Sequence, residues 1–144
     1  MSEYDCLRLE NQLCFPLYAC SKEITRRYRP FLDELGLTYT QYIAMLALWE
    51  YGEMTVKGLG DAVFLDSGTL TPLLKKLEDK GYIERRRDSN DERNVLVSVT
   101  DKGMELRDRA SHVPESVGSC IPLEPSDAAE LYRILHKLMT DFGL

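Results

Sequence analysis

A mainly α-helical fold carrying one small β-hairpin is predicted by three features of this 144-residue chain. Leu70, Leu73, Leu74 and Leu77 recur at i, i+3, i+4 and i+7, the stripe of a helix with one buried face. Gly81 stops that helix, and Ile83 to Asp88 and then Val95, Val97 and Val99 flank a polar tip, the second run alternating with the period of a strand. Near the C-terminus Ala128, Leu131, Leu135, Leu138 and Phe142 repeat in steps of three and four. A helix beside a wing, with apolar helices before and after, describes a winged helix-turn-helix flanked by N- and C-terminal dimerisation helices. The chain reads as a single domain, 1–144, with the winged core at about 36–105 and the dimerisation helices at about 7–32 and 110–144.

In chain order, Met1 to about Gln12 reads as a tail entering a helix. From Cys14 to Arg29 the composition is helical, with Leu13, Leu17, Ile24 and Tyr28 spaced for one face. Proline lacks an N–H and is tolerated in the first turn, so Pro16 sets the start near Gln12 to Phe15 and puts Cys14 at a helix N-terminus. Pro30 is expected to break or bend the far end, and Gly36 to close the connection. Thr38 and Gln41 have capping-box spacing for a helix that Gly52 stops. Thr55 can cap a short helix through Leu59, Ala62 and Val63, followed by a tight turn from Phe64 to Asp66. The next start stays open: Asp66 or Ser67 can cap it, or Thr71 with Pro72 in the first position. Thr100 caps a helix from Asp101 to about Ser111; Pro114, Gly118, Pro122 and Pro125 mark an irregular stretch; Ser126 opens the last helix. That last stripe is too apolar for a solvated helix. It either covers the domain's own core or forms a dimer seam, and the dimer is preferred because symmetric DNA readers bind paired half-sites.

The face opposite the leucine stripe carries Ser67, Gly68, Thr69, Thr71 and Pro72, with Lys75 and Lys76 one turn further along. Short groups at a helix tip permit close approach to a major groove, and cations behind them reach phosphate. A net charge of −6 opposes nucleic-acid binding, and acids are interspersed through Lys75 to Arg93, so no uniformly basic patch exists. Alternation puts Arg85 and Arg87 on one side of their strand and Arg86 on the other.

Hydrophobic residues make up 44% and charged residues 29%, ordinary values for a globular protein. No apolar run approaches a membrane span and no signal-peptide pattern precedes Cys6, so the expected location is cytoplasmic and without a membrane partner. The four cysteines are then expected to be reduced. His112 and His136 belong to no ligand motif, so neither a metal nor a cofactor is expected, and no phosphate loop or catalytic triad suggests an enzyme.

LDSGTLTPLLKKLE followed by DERNV resembles the MarR family of winged-helix repressors. LENQLCFPLYA (Leu9 to Ala19) together with LTYTQY (Leu37 to Tyr42) resembles one branch of it, the organic-hydroperoxide-resistance (OhrR-type) regulators. The match weakens over Ala110 to Pro125. The resemblance implies a homodimer that blocks a palindromic operator in double-stranded DNA and lets go when organic hydroperoxide oxidises the motif cysteine. Carried over, Cys14 is the redox-sensing thiol, and Tyr28 and Tyr39 hydrogen-bond it from the partner subunit. Asp66, Ser67, Thr69, Thr71, Pro72, Lys75 and Lys76 face the major groove, while Arg93, steadied by Asp91, enters the minor groove. Some relatives resolve the oxidised thiol with a second cysteine near the position of Cys120, so Cys120 is a candidate resolving thiol.

The chemistry of the residues supports part of this. Helix N-termini and hydroxyl donors favour a thiolate, and peroxide converts a thiolate to sulfenic acid. The opposing reading is Cys14 as a small buried hydrophobe. Cys20 lies six residues on, about 9 Å of helical rise, beyond the ~7 Å a disulfide spans, and is read as packing. Two other functions remain: a repressor released by a small phenolic or aromatic ligand lined by Tyr18, Tyr28, Tyr39, Tyr42 and Trp49, and a thiol peroxidase. The peroxidase reading lacks a cation beside Cys14 and leaves the recognition helix without a purpose.

Overall fold

The computed structural model describes residues 2–144; Met1, where the predicted tail begins, lies outside the described residues. Two 3-10 turns, Asp5–Leu7 and Leu9–Asn11, precede α1 (Cys14–Leu35). This segment is knotted by its own amides: Asn11 Nδ2 donates to the Asp5 carbonyl and Gln12 Nε2 to that of Cys6, both at 2.7 Å. Then follow α2 (Tyr39–Tyr51), β1 (Met54–Thr55), α3 (Val56–Val63) and α4 (Ser67–Asp79). The wing is β2 (Ile83–Arg87) and β3 (Val95–Val99), and α5 (Asp101–Ala110), α6 (Val113–Gly118) and α7 (Pro125–Asp141) complete the chain.

The starts of α2, α3, α4 and α5 are each fixed by a side chain that satisfies an orphan N–H, a contact of about 1 kcal/mol. Thr38 and Gln41 form the reciprocal capping box, Thr55 accepts from Gly58 N at 2.9 Å, and Thr100 accepts from Gly103 N at 3.1 Å. Asp66 Oδ1 accepts from Thr69 N at 2.8 Å, which decides the start of α4 in favour of Asp66. Thr71 and Pro72 therefore lie inside the helix, and only this frame includes Leu70, 1% exposed, in the buried stripe.

Four expectations need correction. Pro30 does not end α1, which continues to Leu35 and stops at Gly36 in the left-handed region (φ 68°). The ring costs one hydrogen bond on an exposed face, while burial of Leu32 and Leu35 beyond it retains the last turn. The stretch around Pro114 and Gly118 is partly helical as α6, because proline suits a first turn. The last helix opens at Pro125 after Glu124, with no side-chain cap from Ser126. A third strand also joins the hairpin: β1 pairs antiparallel with β3 (Met54 opposite Val97), giving the order β1-β3-β2. Two residues are too few to show a period.

The core lies between α2, α3, α4, the sheet and α5, where Met45, Leu59, Leu74, Leu77 and Val97 are fully buried. A Cβ on Gly103 would stand 2.2 Å from the Tyr82 carbonyl oxygen, so glycine there lets α5 close onto the root of the wing. Trp49 Nε1 donates to the Gly103 carbonyl at 3.1 Å and ties α2 to the same point. By contrast, α7 has no buried residue: Leu131 and Leu138 remain exposed, as does Phe142 just after it.

Candidate nucleic-acid interface and thiol site

Burial of Leu70, Leu73, Leu74 and Leu77 turns the opposite face of α4 outward. Ser67, Thr69, Thr71, Pro72, Lys75 and Lys76 are all exposed on it, as is Asp66 at its tip. Asp66 has a structural duty there as well, since its carboxylate caps the helix. At the wing tip Arg93 Nε and Nη2 donate to the two carboxylate oxygens of Asp91 at 3.0 and 3.1 Å, and Arg93 N donates to Oδ1 at 3.1 Å. These bonds hold the Asp91 carboxyl below the usual carboxylate range and extend a guanidinium that is 90% exposed.

The basic run between α4 and the wing tip is less available than its composition implies. Arg85 pairs with Glu78 at 3.1 Å, Arg86 with Glu53 at 3.0 Å, and Arg87 donates to the Glu92 carbonyl at 2.9 Å. Arg85 and Arg86 do leave opposite faces of the strand, as the alternation predicts. Lys80 donates to the Gly36 carbonyl. Among the described residues Lys75 and Lys76 are left with no acidic partner, directly behind the small-residue helix tip. Sequence alone missed these pairings, because Glu53 and Glu78 reach the strand from other elements.

Cys14 is the first residue of α1 and is exposed. The unpaired N–H groups of the first turn surround that position, an environment favourable to negative charge. Tyr28 stands fourteen residues further along the same helix, roughly 21 Å at 1.5 Å per residue, so the two cannot meet within one chain. Tyr28 and Tyr39 do meet each other, edge to face at 5.0 Å between ring centres, with Tyr42 5.8 Å from Tyr28. Burial raises Tyr28 above the ordinary tyrosine value and pushes Tyr42 up to about 12, so these two phenols stay protonated. Among the described residues neither the Tyr28 nor the Tyr39 hydroxyl has a hydrogen-bond partner.

Cys120 is exposed in the turn after α6 and borders an open groove with Arg26, Pro30 and Phe31. It therefore lies near the tyrosine end of α1, remote from its own Cys14. Cys6 and Cys20 are exposed too, so Cys20 is not packing within this chain. Of the aromatic residues proposed for a ligand pocket, Tyr28, Tyr39 and Tyr42 cluster, while Trp49 is bonded to Gly103 and Tyr18 lies exposed under Lys22. Among the described residues no group of His, Cys, Asp or Glu could hold a metal ion, and no helix is long and apolar enough to cross a membrane.

Comparison with known proteins adds four findings. The family model for the transcriptional regulators SarA/Rot matches residues 26–110. The organic hydroperoxide resistance transcriptional regulator of Bacillus subtilis is 45% identical over 96% of this chain and 94% of its own. The transcriptional regulator SarZ of Staphylococcus saprophyticus is 45% identical over 91% of this chain and 90% of its own. The structure of reduced AbfR bound to DNA, a Staphylococcus epidermidis protein, superposes with a TM-score of 0.81 at 34% identity, covering 99% of this chain and 97% of that one.

Proposed function

The chain belongs to the MarR-type winged-helix regulators, in the branch of the organic-hydroperoxide-resistance proteins, and from that membership we propose that Cys14 controls its hold on DNA. The protein is a DNA-binding transcriptional repressor that senses organic hydroperoxide or related oxidants through a reactive cysteine. Its relatives are regulators, which removes the thiol peroxidase reading, and none of them favours release by a phenolic ligand. Its site of action is the cytoplasm.

The working unit is a homodimer on a palindromic operator. Leu13, Leu17 and Tyr18 at the start of α1, and Leu131 and Leu138 of α7 with Phe142 just after it, are exposed in one chain, an apolar surface of the kind a second copy covers. Two copies of α4 enter successive major grooves through Asp66, Ser67, Thr69, Thr71 and Pro72, with Lys75 and Lys76 on phosphate. Arg93, braced by Asp91, reaches the minor groove from each wing.

The observation that carries the sensing role is the separation within α1. Cys14 opens the helix while Tyr28, which packs against Tyr39, lies about 21 Å of helical rise further along, so a thiol–phenol site forms only between subunits. There the thiolate sulfur attacks the terminal oxygen of the hydroperoxide. An S–O bond forms, the O–O bond breaks, and the alkoxide leaves as alcohol once it takes a proton; sulfur loses two electrons. Cys120 of the second subunit lies at the tyrosine end of α1, suited to attack the sulfenic sulfur and expel water as a disulfide forms.

The test uses operator duplexes selected from random sequence by the reduced protein. Cumene hydroperoxide should abolish binding by wild type and leave Cys14→Ser bound. Cys120→Ser should lose the intersubunit crosslink on a non-reducing gel. Release of Cys14→Ser by hydroperoxide would assign sensing to another thiol.

A further inference from the structure

The two helices that sensing must connect, α1 and α4, share little direct packing. They are joined instead at their C-terminal ends by side chains. Lys80, the residue after α4, donates to the carbonyl of Gly36, the residue after α1. The Lys80 carbonyl accepts in turn from Lys102 Nζ at 2.7 Å, and the Lys102 ammonium lies 5.2 Å from the Tyr82 ring centre. Lys102 belongs to α5, whose far end carries Arg109, and Arg109 Nη2 donates to the Glu34 carbonyl of α1 at 3.1 Å. The circuit is closed: α1 to α4, α4 to α5, and α5 back to α1.

Every acceptor in this circuit lies at a helix C-terminus, where carbonyls lack helical donors and the dipole attracts cations. Thr100 reinforces the α4–α5 corner by donating to the Gly81 carbonyl at 2.6 Å while capping α5. Among the described residues, Lys80 and Arg109 are the side chains from outside α1 that bond its terminal carbonyls. A triangle of this kind resists shear between its members. At 22 residues α1 is about 33 Å long, so a tilt of about 5° moves one end by roughly 3 Å relative to the other.

We propose that Lys80 is a positioning residue for DNA release: through Gly36 it transmits displacement of α1 to the recognition helix, with Arg109 holding the same helix end. This inference rests on the Cys14 reading and extends it from the thiol to the element that moves. Lys80 contributes little to holding DNA in the reduced state, because its ammonium is committed to Gly36. Its loss should spare operator affinity and weaken the penalty that oxidation imposes.

The experiment measures operator affinity by fluorescence anisotropy before and after cumene hydroperoxide, and Cys14 oxidation by mass spectrometry on the same samples. For Lys80→Met the reduced-state affinity should stay within about threefold of wild type, while the oxidised-to-reduced affinity ratio shrinks by about tenfold at equal Cys14 oxidation. Lys80→Arg, which keeps a donor, should restore the ratio. An unchanged ratio in Lys80→Met overturns the proposal and leaves the Cys14 reading standing. A wild type whose binding ignores hydroperoxide overturns both. Hydrogen exchange on wild type supplies a check independent of variant folding: oxidation must alter protection at Gly36 to Thr38 and at Lys80 to Tyr82 together, and change at only one of the two overturns the coupling.

Discussion

The winged lobe and the outer helices obey different rules of completeness. Between Leu32 and Val117 the chain buries its own core, caps its own helices and pairs most of its own arginines. The first half of α1 and the whole of α7 bury no core and carry no side-chain cap, and most of their apolar residues stay exposed. Cys14 and Tyr28 are likewise divided between opposite parts of one helix, which a single chain cannot bring together. The DNA-reading part is thus specified by a single chain, whereas the proposed sensing site needs a pair, and on that proposal the sensor responds to subunit geometry.

The largest effect that would sharpen this contrast comes from the core. Leu74→Ala, at a position with no exposure, should cost about 2–5 kcal/mol in a urea unfolding series. A loss well under 1 kcal/mol would mean that the lobe is not the independently packed unit described above. The matching substitution in the outer region is Leu135→Glu. It should leave the circular-dichroism spectrum intact while sedimentation changes from dimer to monomer or aggregate; a variant that stays dimeric at micromolar concentration breaks the comparison.

Legibility followed the same division. Thr38 with Gln41, Thr55 and Thr100 were readable as caps because a local side-chain rule decides each of them. The start of α4 was not, since Asp66, Ser67 and Thr71 all satisfy that rule and only burial of Leu70 separates them. Pro30 read as a break or a bend, and the break fails because local propensity cannot see Leu32 and Leu35 anchored in the core beyond it. At the site, the exposed face of α4 followed directly from the leucine stripe. Neutralisation of Arg85 and Arg86 depended on glutamates outside their strand and was invisible.

Smaller effects test the DNA face. Lys75→Ala and Arg93→Ala should each weaken operator binding and reduce the salt slope by about 1, the signature of one lost phosphate contact. An unchanged slope in both would remove these side chains from the interface. The smallest effect concerns α1 alone. Arg26 and Arg27 hydrogen-bond Glu23 and hold its carboxyl at about 2, so the folded state favours the charged form. Its contribution is present above the ordinary glutamate range and is lost as pH falls through that range to about 2. Glu23→Gln should be slightly less stable than wild type at neutral pH, with the gap closing in acid and in high salt because the group is exposed. A gap that persists in acid would refute the ionic origin.

The internal pairing of Arg85 and Arg86 also governs how the protein divides its time between its operator and the rest of the chromosome. With those guanidiniums held by Glu78 and Glu53, and an overall charge of −6, the long-range field toward DNA is weak. Non-specific affinity is the competitor that a genome presents in great excess, and it scales with the number of phosphates neutralised. Keeping that number low leaves more unbound repressor to find the operator, and it also speeds clearance after oxidation. A subunit pair that has let go is not held nearby by charge alone.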